Sequence, residues 1–231
     1  MNLVLAISKH HSVHASTRIQ IYTLKHCDLD GQANGKFETK CKLEMIHDMD
    51  GKHESSISCM DWSKKLCGNG IDSTDKEEGV GAGIREGNIV SCGKDSQVYV
   101  WMYCSITSVW LPSLVVIGNM DNSNITTPIQ CRWDPLLGCR LAIALGGNSK
   151  SSAVAICHWD EEFNWWTSSV HVGKKQIKSS VLCVAWHPYL QVVACGGTDY
   201  RCRIYSVADD KHKNEENLIT DSSLSFLSNK K

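Results

Sequence analysis

Three stretches of this chain close in the same way: ISCMDWS at 57–63, PIQCRWDP at 128–135 and VLCVAWHP at 181–188. Each is a short apolar run ending on a tryptophan. A motif that recurs along a chain constrains the fold strongly, because a unit that cannot bury its own faces must stack on its copies. In the third copy an extended strand would place Leu182, Val184 and Trp186 on one face and Cys183 and Ala185 on the other. Both faces then require a neighbour.

Each tryptophan strand is followed by a second unit, in which an apolar run ending in small residues leads through a turn to an apolar alternation closing on an aromatic. The copies are NIVSCGKDSQVYVW at 88–101, RLAIALGGNSKSSAVAICHW at 140–159 and QVVACGGTDYRCRIY at 191–205. A fourth, LVLAISKHHSVHASTRIQIY at 3–22, has the same outline without a preceding tryptophan strand, as though the chain opened inside a unit. Outer strands are expected from Trp110 to Ile117 and from Trp165 to Val172. Four short antiparallel strands per unit is the make-up of a propeller blade, and the fold class expected is all-β, an incomplete β-propeller of about three and a half blades.

Trp62, Trp133 and Trp186 are 71 and 53 residues apart, more than the roughly 40 to 45 residues of one such blade. Insertions account for the excess. The main one is 64–87, KKLCGNGIDSTDKEEGVGAGIREG, glycine-rich and charged without periodicity, which reads as a surface loop between the first two strands of a blade. Residues 1–208 are thus expected to form the partial propeller, and 209–231 a polar, flexible tail.

Charge excludes several function classes. Lys and Arg total 24 against 25 Asp and Glu, a net charge of -1, so nucleic acid is not an expected partner. The N-terminal apolar stretch, Leu3 to Ile7, is far below the roughly 18 residues needed to span a bilayer, and no basic segment precedes it as in a signal peptide. No membrane insertion is expected, and the location expected is intracellular. The 12 cysteines include no C-x-x-C pair and lie mostly inside apolar runs, where they read as reduced core residues. Eight Trp against three Phe inverts the usual ratio and fits tryptophan as the repeated core residue.

A buried indole N–H needs an acceptor. His53, Ser91, Asp95 and Trp101 supply a set for it: a histidine on the incoming loop, a hydroxyl on the second strand, an aspartate in the following turn and the tryptophan ending the third strand. The hydroxyl would link His53 to Trp101, and Asp95 would accept from the imidazole and from turn amides. His171 and Asp199, with Tyr205 in the tryptophan place, read as a degraded version, and Trp159-Asp160 as the same strand end in the intervening unit. Enzyme readings are weak. GVGAGIREG at 79–87 lacks the third glycine of a dinucleotide loop, and no strand precedes it. His10, His11 and His14 lie in a turn without a nearby Cys or carboxylate. No catalytic residue, cofactor or metal is expected.

With these residues in view the chain resembles the WD40-repeat family. Within it, the chain is similar to the family of subunit 1 of the actin-related protein 2/3 complex, a seven-bladed propeller. The narrower likeness rests on EEFNWW at 161–166, KKQIKSSVLCVAWHP at 174–188 and YRCRIYS at 200–206, with IVSCGKDSQVYVW in support. It covers roughly Leu3 to Asp210 but only about the first half of the family's length, so a WD40-type propeller of about three and a half of seven blades is expected. The resemblance implies a non-enzymatic scaffold in the cytoplasm and actin cytoskeleton that supports actin filament nucleation and branching. The partners implied are other subunits of the complex, the actin filament and acidic tails of nucleation-promoting factors. Lys174, Lys175 and Lys178 form the densest basic cluster in the matched motifs, and either Trp165 or Trp166 is expected to be an exposed contact anchor while the other is core. A generic WD40 adaptor of another assembly is the alternative.

Overall fold

The computed structural model describes residues 3–10, 17–27, 40–63, 87–104, 106–117, 127–136, 138–147, 153–160, 162, 165–172, 177 and 179–207. Every regular element among them is a strand. No helix among the described residues is long and apolar enough to cross a membrane. The strands form four consecutive antiparallel units. The first comprises β1 (Leu3–His10), β2 (Thr17–Cys27) and β3 (Lys40–Asp50). The second holds β4 (Ile57–Trp62), β5 (Ile89–Gly93), β6 (Val98–Cys104) and β7 (Val109–Val116). The third holds β8 (Thr127–Trp133), β9 (Arg140–Gly146), β10 (Ala153–Asp160) and β11 (Trp165–Val172). The fourth comprises β12 (Val181–Trp186), β13 (Val192–Gly197) and β14 (Cys202–Ser206).

These units are blades, and three apolar seams hold them face to face. Ile19, Ile21 and Met49 of the first blade meet Ile89, Trp101 and Trp110 of the second. The second and third blades bury Val90, Cys92, Val98 and Val100 against Cys131, Trp133, Leu141, Ile143 and Trp166. Between the third and fourth, Ala142, Ala144, Val154 and Ile156 meet Val181, Val184, Val193, Cys195 and Tyr205. Strand alternation explains how one strand serves two seams: β9 turns Leu141, Ile143 and Leu145 one way and Ala142 and Ala144 the other. Trp62, Trp133 and Trp186 each pack into the seam with the preceding blade.

The alternation expected for β12 fails at its start. Val181 and Val184 are buried and Leu182 is 47% exposed, because the register shifts between Val181 and Cys183. β4 shifts between Ile57 and Cys59, and β8 between Pro128 and Gln130. The residue passed over is in each case the fourth before the tryptophan: Ser58, Ile129 and Leu182. A bulge adds one residue and so exchanges the faces of everything before it.

Separate four-stranded sheets were also the expectation, whereas the second and third blades form one eight-stranded sheet. The outer strands β7 and β11 pair in parallel through Val115 with Trp166 and Val116 with Thr167. Both would otherwise be edges with unpaired backbone groups, and the pairing satisfies part of each. The inner edges are met by side chains. Asp61 Oδ2 accepts from the Trp133 backbone N–H at 2.8 Å, and Gln130 Oε1 accepts from that of Val184 at 2.7 Å. In return, Trp186 Nε1 donates to the Arg132 carbonyl at 3.1 Å. The 64–87 insertion joins β4 to β5; residues 64–86 lie outside the described residues, and the Ser63 N–H donates to the Asn88 carbonyl at 2.8 Å across the base. The tail at 209–231 also lies outside the described residues.

Gln130→Met keeps the side-chain volume but leaves the Val184 amide without its acceptor. The unfolding free energy should fall by about 1 to 3 kcal/mol in urea titration. An unchanged denaturation midpoint would remove Gln130 from the account of the seam.

Candidate interaction surface and the network beneath it

The four residues singled out for hydrogen bonding meet at one end of the second blade. Trp101 Nε1 donates to Ser91 Oγ at 2.9 Å, Ser91 Oγ lies 2.9 Å from His53 Nε2, and His53 Nδ1 lies 3.0 Å from Asp95 Oδ2. Donor counting orders the protons. An indole N–H only donates and a carboxylate only accepts, so Ser91 Oγ accepts from Trp101 and His53 Nδ1–H donates to Asp95; with the ring neutral, Nε2 accepts the Ser91 proton. That chain requires a neutral imidazole. Burial, the largest influence, holds His53 below its ordinary value, while the Asp95 carboxylate partly opposes it. Asp95 also accepts from the Glu54 N–H at 2.9 Å and the Gln97 N–H at 3.1 Å. Glycine is required beside this group, since a Cβ on Gly93 would stand 2.5 Å from both Asp95 Oδ1 and His53 Nδ1.

The fourth blade repeats the turn and changes the partners. The Ser96 N–H donates to the Gly93 carbonyl and that of Tyr200 to the Gly197 carbonyl, each at 3.2 Å. Asp199 stands where Asp95 does but pairs with the Arg203 guanidinium, which holds its carboxyl down at about 2. His171 belongs to β11 of the third blade, opposite Ala155, and its side chain lies outside the described residues; of the set read from the sequence, Asp199 is paired with Arg203. Tyr205 does occupy the tryptophan place: it faces Val193 as Trp101 faces Ile89. In the third blade Cys157 faces Leu141 at that register. Trp159 lies two residues further on and packs edge-to-face on Trp166, with ring centres 5.8 Å apart. The Trp159-Asp160 pair therefore does not mark the same point in the repeat.

Adjacent residues on β11 point to opposite faces, and this divides the double tryptophan. Trp166 is fully buried against Trp133, with centroids 5.4 Å apart, while Trp165 is 47% exposed. Lys174, Lys175 and Lys178 lie in the connection from β11 to β12, outside the described residues. Trp165 begins β11 and that connection leaves its far end at Val172, roughly 25 Å away for an eight-residue strand. Trp165 and the connection thus start from opposite rims of the blade.

Several exposed apolar side chains escaped the sequence reading. On the rim shared with Trp165, Ile106 sits on the β6–β7 turn, Leu136 on the β8–β9 turn, and Tyr189 and Leu190 on the β12–β13 turn. Ser63 Oγ donates to the Gly138 carbonyl at 3.3 Å, tying the base of the 64–87 insertion to this rim. Along the outer edge, Val109, Leu111, Leu114 and Val116 of β7 are exposed. The signal was present in WDPLL and WHPYL, where proline marks the turn and the large apolar residues after it include the exposed Leu136, Tyr189 and Leu190.

Asp95→Ala strands the His53 N–H and two backbone amides, so the unfolding free energy should drop by about 2 kcal/mol or more in denaturant titration. The depressed His53 value adds a pH dependence. Its contribution is full above about 6.5 and is lost as pH falls through the lower folded-state value. The thermal midpoint should decline on acidification, and His53→Gln should begin lower with a shallower decline. Parallel curves for the two proteins would refute the neutral-imidazole chain.

A sequence model described as WD domain, G-beta repeat, matches residues 167–206, the span from β11 through β14. Subunit 1 of the actin-related protein 2/3 complex from Saccharomyces cerevisiae is 35% identical over 121 residues, 52% of this chain and 28% of that protein. Subunit 1A from Arabidopsis thaliana is 30% identical over 156 residues, 67% of this chain and 32% of that protein. Subunit 1A-B from Xenopus laevis is 32% identical over 118 residues, 51% of this chain and 28% of that protein. The chain thus aligns with about a third or less of the length of these relatives. Among solved structures, a chain of the Chaetomium thermophilum polycomb repressive complex 2 superposes with a TM-score of 0.54 at 16% identity, covering 94% of this chain and 38% of that one. At that identity the likeness speaks for the fold alone. The WD40-type propeller fold and the resemblance to subunit 1 that the motifs suggested are both borne out.

Proposed function

We propose that this chain acts as a non-enzymatic scaffold in an actin-related protein 2/3 complex, supporting actin filament nucleation and branching through contacts with neighbouring subunits. The observation that carries the reading is the 30% to 35% identity with proteins named subunit 1 of that complex from yeast, plant and amphibian. The blades fit such a role. The faces between adjoining blades are consumed by seams, and loops and outer edges stay accessible to partners. The partners in this reading are other subunits of the complex, the actin filament and acidic tails of nucleation-promoting factors, in the cytoplasm at the actin cytoskeleton.

The partner contact has two parts because Trp165 and the lysine-bearing connection begin from opposite ends of β11. Trp165 and the apolar rim side chains serve as a desolvated anchor. Lys174, Lys175 and Lys178 steer an acidic partner and make that association salt-sensitive. A generic WD40 adaptor of a different assembly is the competing reading, since one propeller fold hosts many partners.

Affinity purification of the full chain from its native cells decides between the two. Actin-related proteins should co-purify, and their consistent absence beside a different stable set of partners would overturn the proposal. In the same assay, reversing Lys174, Lys175 and Lys178 to Glu should weaken capture at physiological salt with the thermal midpoint unchanged. Trp165→Ala should weaken it at high salt as well.

A further inference from the structure

Three thiols converge on the seam between the second and third blades. Cys59 on β4 is partly exposed, whereas Cys92 on β5 and Cys131 on β8 are fully buried. Cys59 Sγ lies 3.7 Å from the Cys131 carbonyl oxygen, and Cys131 Sγ lies 3.8 Å from that of Cys59. The reciprocal contacts mean that the two side chains reach across the seam toward each other. Arg132 Nη1 donates to Cys59 Sγ at 3.2 Å. No group of three metal-binding side chains among the described residues has the arrangement to hold an ion, so shared coordination is not what brings these thiols together.

We infer that Cys59 and Cys131 form an oxidation site, in which a hydroperoxide converts the two thiols into a disulfide that fastens the second blade to the third. The exposed member meets the oxidant first. The Cys59 thiolate, held beside the Arg132 guanidinium, attacks one peroxide oxygen; the O–O bond breaks, and Cys59 becomes a sulfenic acid as hydroxide leaves. The Cys131 sulfur then attacks the Cys59 sulfur, the S–O bond breaks, and the departing hydroxide takes the Cys131 proton. Two thiols and one hydrogen peroxide become one disulfide and two waters, with each sulfur giving up one electron.

The electrostatics agree with this order. Hydrogen bonds from Cys131 and Cys92, with help from Arg132, hold the Cys59 thiol well below the ordinary thiol range. The Cys131 thiol is held up, first by the same bond to Cys59, an influence that ends once Cys59 is oxidised. Cys92 is the competing partner because it sits directly across from Cys59 in the β4–β5 ladder. Facing positions on adjacent strands of one sheet constrain the sulfur geometry, whereas the seam leaves the blades free to adjust, so Cys131 is the residue that closes the bond.

The full-length chain, fully reduced, is treated with stoichiometric hydrogen peroxide, alkylated, and digested with trypsin and chymotrypsin without reductant for mass spectrometry. One cross-linked species joining Cys59 to Cys131 is expected, together with a raised thermal midpoint that returns to the starting value on reduction. Cys131→Ser should instead leave a sulfenic acid at Cys59 that dimedone traps. Arg132→Leu should slow oxidation of Cys59 at least about tenfold, as expected where thiolate character sets the rate. A Cys59–Cys92 link, oxidation of Cys59 to sulfinate with Cys131 still alkylated, or all three cysteines alkylated would each overturn the inference. Should Cys131→Ser fail to fold, the cross-link map of the unaltered chain decides alone.

Discussion

The structure depends on one constraint: each blade is a thin sheet with apolar faces, and wherever two blades adjoin those faces must close on each other to exclude water. Burying them against neighbouring blades is the main source of stability, at roughly 25 cal/mol per Å² of apolar surface. That is why Trp62, Trp133 and Trp186 recur at strand ends, each turned back into the preceding seam. A seam needs more than apolar contact. The innermost strand of a blade has one edge without a strand partner, and its N–H groups would be stranded there. Asp61 and Gln130 close that gap by accepting from Trp133 and Val184 of the next blade.

The same position in the repeat is handled in three different ways. In the second blade an indole, a hydroxyl, a neutral imidazole and a carboxylate form one directional chain. In the third, Ile143 and Cys157 fill the corresponding register with apolar atoms, so no buried donor needs an acceptor. In the fourth, Arg203 replaces the histidine and pairs Asp199 directly. The turn carboxylate is paired in the second blade and in the fourth by different residues, so the register calls for a partner to the charge rather than for one residue identity.

Much of this was legible in the chain. The strand units, the His53, Ser91, Asp95 and Trp101 partnership and the division of Trp165 from Trp166 all follow from period-two alternation and donor chemistry. The bulges were not legible. Ser58, Ile129 and Leu182 look like ordinary strand residues, and only pairing with the neighbouring strand shows that each is passed over. Nor was the parallel contact between β7 and β11, because Val115 and Trp166 are distant in sequence and their meeting depends on how two blades lean together.

The sequence by itself determined that this chain builds two-faced β units around tryptophan, since apolar spacing and turn residues act over a few neighbouring positions. The tertiary structure alone decided which tryptophan faces solvent, that Asp199 takes Arg203, and that Cys59 and Cys131 stand side by side. Those outcomes turn on register and on the angle between sheets. Both are set by the packing of whole blades, and no local stretch of residues encodes either one.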